Sequence, residues 1–114
     1  MQRYYDLGVV PDWWKLEPVD DAGFWTAAGD IARANDPQLQ GIIVLGKEMQ
    51  DADLARVLTK AHAEPLVCGF AIGRTIFSDA ATQWFAGEIS DDAAQDMMVD
   101  IFERLIDAWE QSGA

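Results

Sequence analysis

Cysteine and histidine are nearly absent from this chain: Cys68 and His62 are the only ones among 114 residues. One cysteine excludes an internal disulfide framework, and one thiol with one imidazole makes no zinc ligand set. Cations are scarce too. Eight Lys and Arg stand against twenty Asp and Glu, a formal net charge of −12. That balance argues against a basic patch for nucleic-acid phosphates and against docking on anionic membranes. No apolar run approaches the length of a membrane span, and the N-terminus lacks the basic-then-apolar pattern of a secretion signal. No metal, no nucleic-acid partner and no membrane partner are therefore expected, and the chain reads as cytoplasmic. The acidity reads as a solvated surface.

What is present is apolar. Half of the residues are hydrophobic and five are tryptophan, enough for one small domain with a sizeable core or a partner surface. Cys68 lies in an apolar run and is expected in that core. His62 falls at the polar end of a helical pattern, where a C-terminal capping role is expected.

Three short runs have strand character: Trp13 to Glu17, Gly41 to Leu45 and Leu66 to Ile72. The second and third are almost continuously apolar, as strands buried on both faces of a parallel sheet are. Helical patterns separate them. Asp20 or Asp21 can cap a helix carrying Phe24, Trp25, Ala28, Ile31 and Ala32, ending near Asn35. Asp51 can start a second, with Leu54, Val57, Leu58 and Ala61 on one face, ending before Pro65. Ser78 is a candidate N-cap for a short helix to about Gly87. Ser90 then caps a longer one through Met97, Ile101, Leu105, Ile106 and Trp109, before a polar tail, Gln111 to Ala114.

This order is two successive βαβ units, for which right-handed crossovers are expected. A short extra helix after the final strand is a recurring phosphate-binding device of (β/α)8 barrels. The fold expected is therefore α/β with parallel strands, the C-terminal part of a (β/α)8 TIM barrel comprising its last three strand–helix units. A flavodoxin-like open sheet is the competing arrangement.

The chemistry-bearing residues converge on the C-terminal ends of the three strands, the edge that carries active sites in parallel sheets. Lys15 sits within Asp12-Trp13-Trp14-Lys15-Leu16-Glu17-Pro18. Burial in such surroundings disfavours the ammonium, and a neutral amine can form a Schiff base with a carbonyl. The alternative is that Lys15 points out of one face and snorkels to water. The two-residue period turns Trp13, Lys15 and Glu17 to one side and Trp14 and Leu16 to the other, under the helices. Glu17 could orient the amine or shuttle a proton; alternatively the two form a plain ion pair. Gly46-Lys47 and Gly73-Arg74 each join a glycine, which permits close approach, to a cation, and suggest a phosphate or carboxylate pocket. The alternatives are an exposed Lys47 in a first helical turn opposite Glu48, and an Arg74–Asp79 surface pair. Trp25, Trp84, Phe102 and Trp109 are expected in the core.

Two stretches, Tyr5 to Pro18 and Gly69 to Phe77, with Trp84 and Gly87-Glu88-Ile89 following, closely resemble the aldolase-like domain C-terminal to 5-dehydro-2-deoxygluconokinase. That domain is similar to class I aldolases of the tagatose-bisphosphate type. The resemblance implies a Schiff-base lysine at Lys15 with the neighbouring glutamate at Glu17, and a phosphate-binding Gly-Arg at Gly73-Arg74. It implies cleavage of a phosphorylated keto-sugar acid, 6-phospho-5-dehydro-2-deoxygluconate, to dihydroxyacetone phosphate and malonic semialdehyde in myo-inositol catabolism. No cofactor is implied, and no kinase activity. A complete barrel needs about 250 residues, so this chain is expected to be a portion of one. With two open sheet edges and an uncovered inner face, self-association or a complementing barrel portion is expected as partner. A non-catalytic sugar-phosphate-binding module and a structural half-barrel are the alternatives.

Overall fold

Three parallel strands and five helices make up the structure, a computed structural model that describes residues 1–112. In chain order these are α1 (Gln2–Asp6), β1 (Trp13–Leu16), α2 (Ala22–Asn35), β2 (Gly41–Leu45), α3 (Asp51–His62), β3 (Val67–Ala71), α4 (Arg74–Phe85) and α5 (Asp91–Ser112). Gly113 and Ala114, the end of the expected polar tail, lie outside the described residues, and Gln111 is helical.

The sheet is open, in the order β1-β2-β3, with both pairs parallel. Lys15 is in register with Ile43, and Ile43 with Gly69. An irregularity between Ile42 and Ile43 shifts the register on β3. This is a mixed α/β arrangement compatible with a segment of a barrel.

One face of the sheet is covered. Ile42 and Val44 of β2 and Val67 of β3 join Trp25 and Ala28 of α2, Leu54, Val57, Leu58 and Ala61 of α3, and Leu105 of α5 in one apolar cluster. Each large side chain removed from water there contributes about 1.5–3 kcal/mol. Trp25 is fully buried because its indole N–H finds the Val19 carbonyl at 2.9 Å. The other sheet face carries Trp13, Lys15, Cys68 and Ala71, all exposed. The molecule is accordingly a slab of 51 × 32 × 20 Å, one sheet and one helix layer thick.

Local signals explain most boundaries. The Asp21 carboxylate accepts from Gly23 N–H at 2.8 Å and starts α2; Asp20 pairs instead with Lys60 and Arg56. The Ser90 hydroxyl accepts from Ala93 N–H at 3.1 Å and starts α5. Three expectations are corrected. The helix after β3 begins at Arg74 with Gly73 as N-cap, and Ser78 lies inside it, its carbonyl accepting from the Thr82 hydroxyl. Cys68 is exposed on the open face, because it follows Val67, which faces the helices, and successive strand residues point to opposite faces. Trp84 and Phe102 are 44% and 45% exposed, although Trp25 and Trp109 do pack in or against the core. His62 ends α3, but its ring stacks on Trp109 of α5, with centroids 3.8 Å apart and planes 4° apart. Its Nδ1 lies 2.7 Å from the Trp109 carbonyl; a carbonyl only accepts, so Nδ1 donates.

Candidate functional site

The strand ends bring the candidate residues to one edge. Lys15 lies on the open face of β1, and Glu17 follows that strand. Gly46 and Lys47 follow β2, and Gly73 and Arg74 follow β3. Strand alternation explains Lys15. Trp14 and Leu16 turn toward the helices and pack against the core, so the apolar neighbours that suggested desolvation lie largely on the other face. Within this chain the Lys15 side chain is exposed, as the snorkelling alternative describes. Trp13 shares its face and is 47% exposed. Across the sheet, the space above Gly69 is empty: an added Cβ would meet no atom within 4 Å.

The ion pairs differ from those read along the chain. Glu17 does not pair with Lys15; its carboxylate binds Lys47 Nζ at 2.9 Å. Arg74 does not pair with Asp79; its Nη1 binds Glu48 at 2.8 Å. Lys47 is not in a first helical turn, since α3 starts at Asp51. Lys47 and Glu48 instead form a left-handed pair with φ of 50° and 61°. Such conformations cost non-glycine residues about 1–2 kcal/mol each. Here the tight turn sends one side chain back to β1 and the next across to α4. Glu48 is the site residue that the sequence reading missed. Consecutive left-handed residues are invisible in composition, and glycine would have been the expected occupant.

Between these ends lies a cleft of about 270 Å³, lined by Gly46, Lys47, Glu48, Gly73, Arg74 and Thr75, with Leu45, Ala71 and Phe77. Both glycines permit close approach. A Cβ on Gly46 would stand 3.1 Å from Ile72, and one on Gly73 would stand 3.1 Å from the Phe77 ring. Gly73, Arg74 and Thr75, the N-cap and first residues of α4, line the cleft, and Gly73 supplies no side-chain cap, so the positive end of that helix borders it. The Thr75 hydroxyl is committed to the Met49 carbonyl at 2.6 Å, tying the start of α4 to the loop after β2. The cleft thus combines two cations, a helix start and room for a small anion, with each cation already holding a carboxylate. Among the described residues, no group of three or more His, Cys, Asp or Glu could hold a metal ion. Likewise, no helix there is long and apolar enough to cross a membrane.

A family described as "Uncharacterized protein conserved in bacteria (DUF2090)" matches residues 1–113. No curated protein and no solved structure matches the chain.

Proposed function

The chain belongs to the DUF2090 family, and we propose that it is the C-terminal part of a (β/α)8 barrel built for class I aldol cleavage of a phosphorylated keto-sugar acid in the cytoplasm. One observation carries this reading. A lysine amine on the open face of β1 stands at the same sheet edge as a cation-lined cleft at the ends of β2 and β3.

In this mechanism Lys15 adds to the substrate ketone and loses water to give an imine. The protonated imine draws electrons as the bond between the α-carbon and the hydroxyl-bearing β-carbon breaks. The β-hydroxyl loses its proton to a base and leaves as an aldehyde. The remaining enamine takes a proton at carbon, and water releases dihydroxyacetone phosphate from the lysine. The other product is malonic semialdehyde. Glu17, on the same face two residues on, shuttles protons at the carbinolamine. Gly46, Lys47, Gly73 and Arg74 hold the phosphate, which must displace the Glu17 and Glu48 carboxylates from the two cations.

A second reading is a module that binds a sugar phosphate without cleaving it. Lys15 is exposed and is not among the residues that line the cleft, so the cleft can hold a phosphate without the amine taking part. Borohydride reduction in the presence of dihydroxyacetone phosphate, read by peptide mass spectrometry, separates the readings. A reduced adduct on Lys15 is the aldolase outcome. Phosphate binding that survives Lys15→Ala, with no adduct, is the binding-module outcome.

A further inference from the structure

The two edges of the sheet complement each other. Among the described residues β1 and β3 each pair only with β2, so each has one edge of backbone donors and acceptors without a strand partner. An apolar groove runs beside each edge on the helix side. The groove by β1, about 200 Å³, is lined by Met1, Leu16, Phe24, Ala27, Ala28 and Ile31. The groove by β3, about 310 Å³, is lined by Ile72, Ile76, Met98, Val99 and Phe102. Phe102 and Val99 stand 45% and 44% exposed on its wall.

The surface is also larger than a chain of this size should keep. A folded monomer of 12.6 kDa is expected to expose about 6,200 Å², whereas this chain exposes 6945 Å². The excess, about 700 Å², approaches the roughly 800 Å² that one partner buries in a standard interface. The radius of gyration is 16.3 Å, against about 13 Å for a compact domain of this length.

We infer that copies of this chain associate head to tail, the β3 edge of one against the β1 edge of the next. This joint alone keeps every strand parallel and every helix on the same side of a continuing sheet. Phe102 and Val99 of α5 then pack on the Phe24 and Ala27 flank of α2 in the neighbouring copy. The contact is heterologous, so it builds a closed ring or an open array and not an isologous dimer. With −12 charges per copy, salt strengthens it by screening repulsion. The interface does not rest on the chemistry proposed for Lys15.

Light scattering coupled to size exclusion, over a wide range of concentration and salt, tests this. The wild type should grow in mass with concentration and with salt. Phe102→Asp blocks the β3 side and Ala27→Arg blocks the β1 side, so each variant should be a monomer. Because each keeps one good surface, a mixture of the two should form a one-to-one complex. Circular dichroism checks that both variants fold; if one does not, the other still reports on its own edge. A wild type that stays monomeric, variants that assemble as it does, or a mixture of folded variants that does not pair would each overturn the inference.

Discussion

The Glu64 carboxylate occupies the volume that a side chain on Gly29 would need: a Cβ built there would meet the carboxyl carbon and both its oxygens. One turn further along α2, Arg33 grips the same carboxylate with Nη1 at 2.5 Å and Nη2 at 3.1 Å. Leu66 N–H donates to it at 3.2 Å. Glu64 is 6% exposed, so glycine, arginine and glutamate form one staple from α2 to the turn that launches β3. Gly29→Ala should destabilise by about 2 kcal/mol despite its better helix propensity, because the neighbouring carboxylate must move. In a Glu64→Ala background the same change should be neutral or stabilising. A double-mutant cycle by denaturant unfolding measures that coupling, and additive effects would contradict the staple.

The staple predicts an acid limb to stability. Hydrogen bonds from Arg33, aided by Leu66 N–H, hold the Glu64 carboxyl below its ordinary value, while burial opposes them. A group depressed in the folded state stabilises fully above its unfolded pKa, and that contribution is lost as pH falls through the folded pKa. The melting temperature should therefore fall as pH drops below the ordinary glutamate value of about 4.3. Asp20, lowered mainly by its hydrogen bond to Lys60, acts in the same direction. Glu64→Gln should start less stable and show a shallower acid limb. An unchanged slope in thermal melts would remove Glu64 as the cause.

Glu48 competes with any anion for Arg74. Exposed pairs of this kind are worth about 0.2–1 kcal/mol, so Glu48→Gln should tighten binding of inorganic phosphate by about 1.4- to fivefold. Arg74→Ala should weaken it. Titration calorimetry at low salt reads both. Equal or weaker binding by Glu48→Gln would mean that Arg74 is not an anion ligand. This separates a phosphate cleft from an ion pair that only braces the loop.

Periodicity made the parallel sheet and its covered face legible. Gly41 to Leu45 is apolar on both faces, and Leu54, Val57, Leu58 and Ala61 are all fully buried as their spacing implies. Strand ends differ by single residues, as at Glu17 and Leu66. Signals that depend on tertiary contact were not legible. Helix α1 spans five residues and is steadied by the Trp14 indole donating to the Tyr5 hydroxyl at 2.7 Å, a contact that no local pattern encodes. Ser78 resembled a cap, yet the chain turns earlier at Gly73, where a left-over glycine serves without a side chain. The candidate site was legible as a convergence of strand ends. Its pairing was not, because Glu17 finds Lys47 and Glu48 finds Arg74 across 30 and 26 residues of sequence.

Cys68 offers a direct probe of the open sheet face. Its thiol lies near Gly41, where an added Cβ would stand 2.5 Å from the sulfur and 3.0 Å from the Trp13 ring. Glycine there lets the thiol and the indole approach each other over β2. Because Cys68 is exposed, a disulfide reagent such as Ellman's should titrate one thiol per chain in Phe102→Asp without denaturant. Bulk does the reverse of access: Gly41→Ala must push the thiol or the ring aside and should lower the melting temperature. If copies close their sheets around a shared interior, labelling in the wild type should slow as concentration rises, while Phe102→Asp stays fast. A thiol that reacts only after unfolding, even in Phe102→Asp at high dilution, would mean that the face carrying Lys15 is closed in solution.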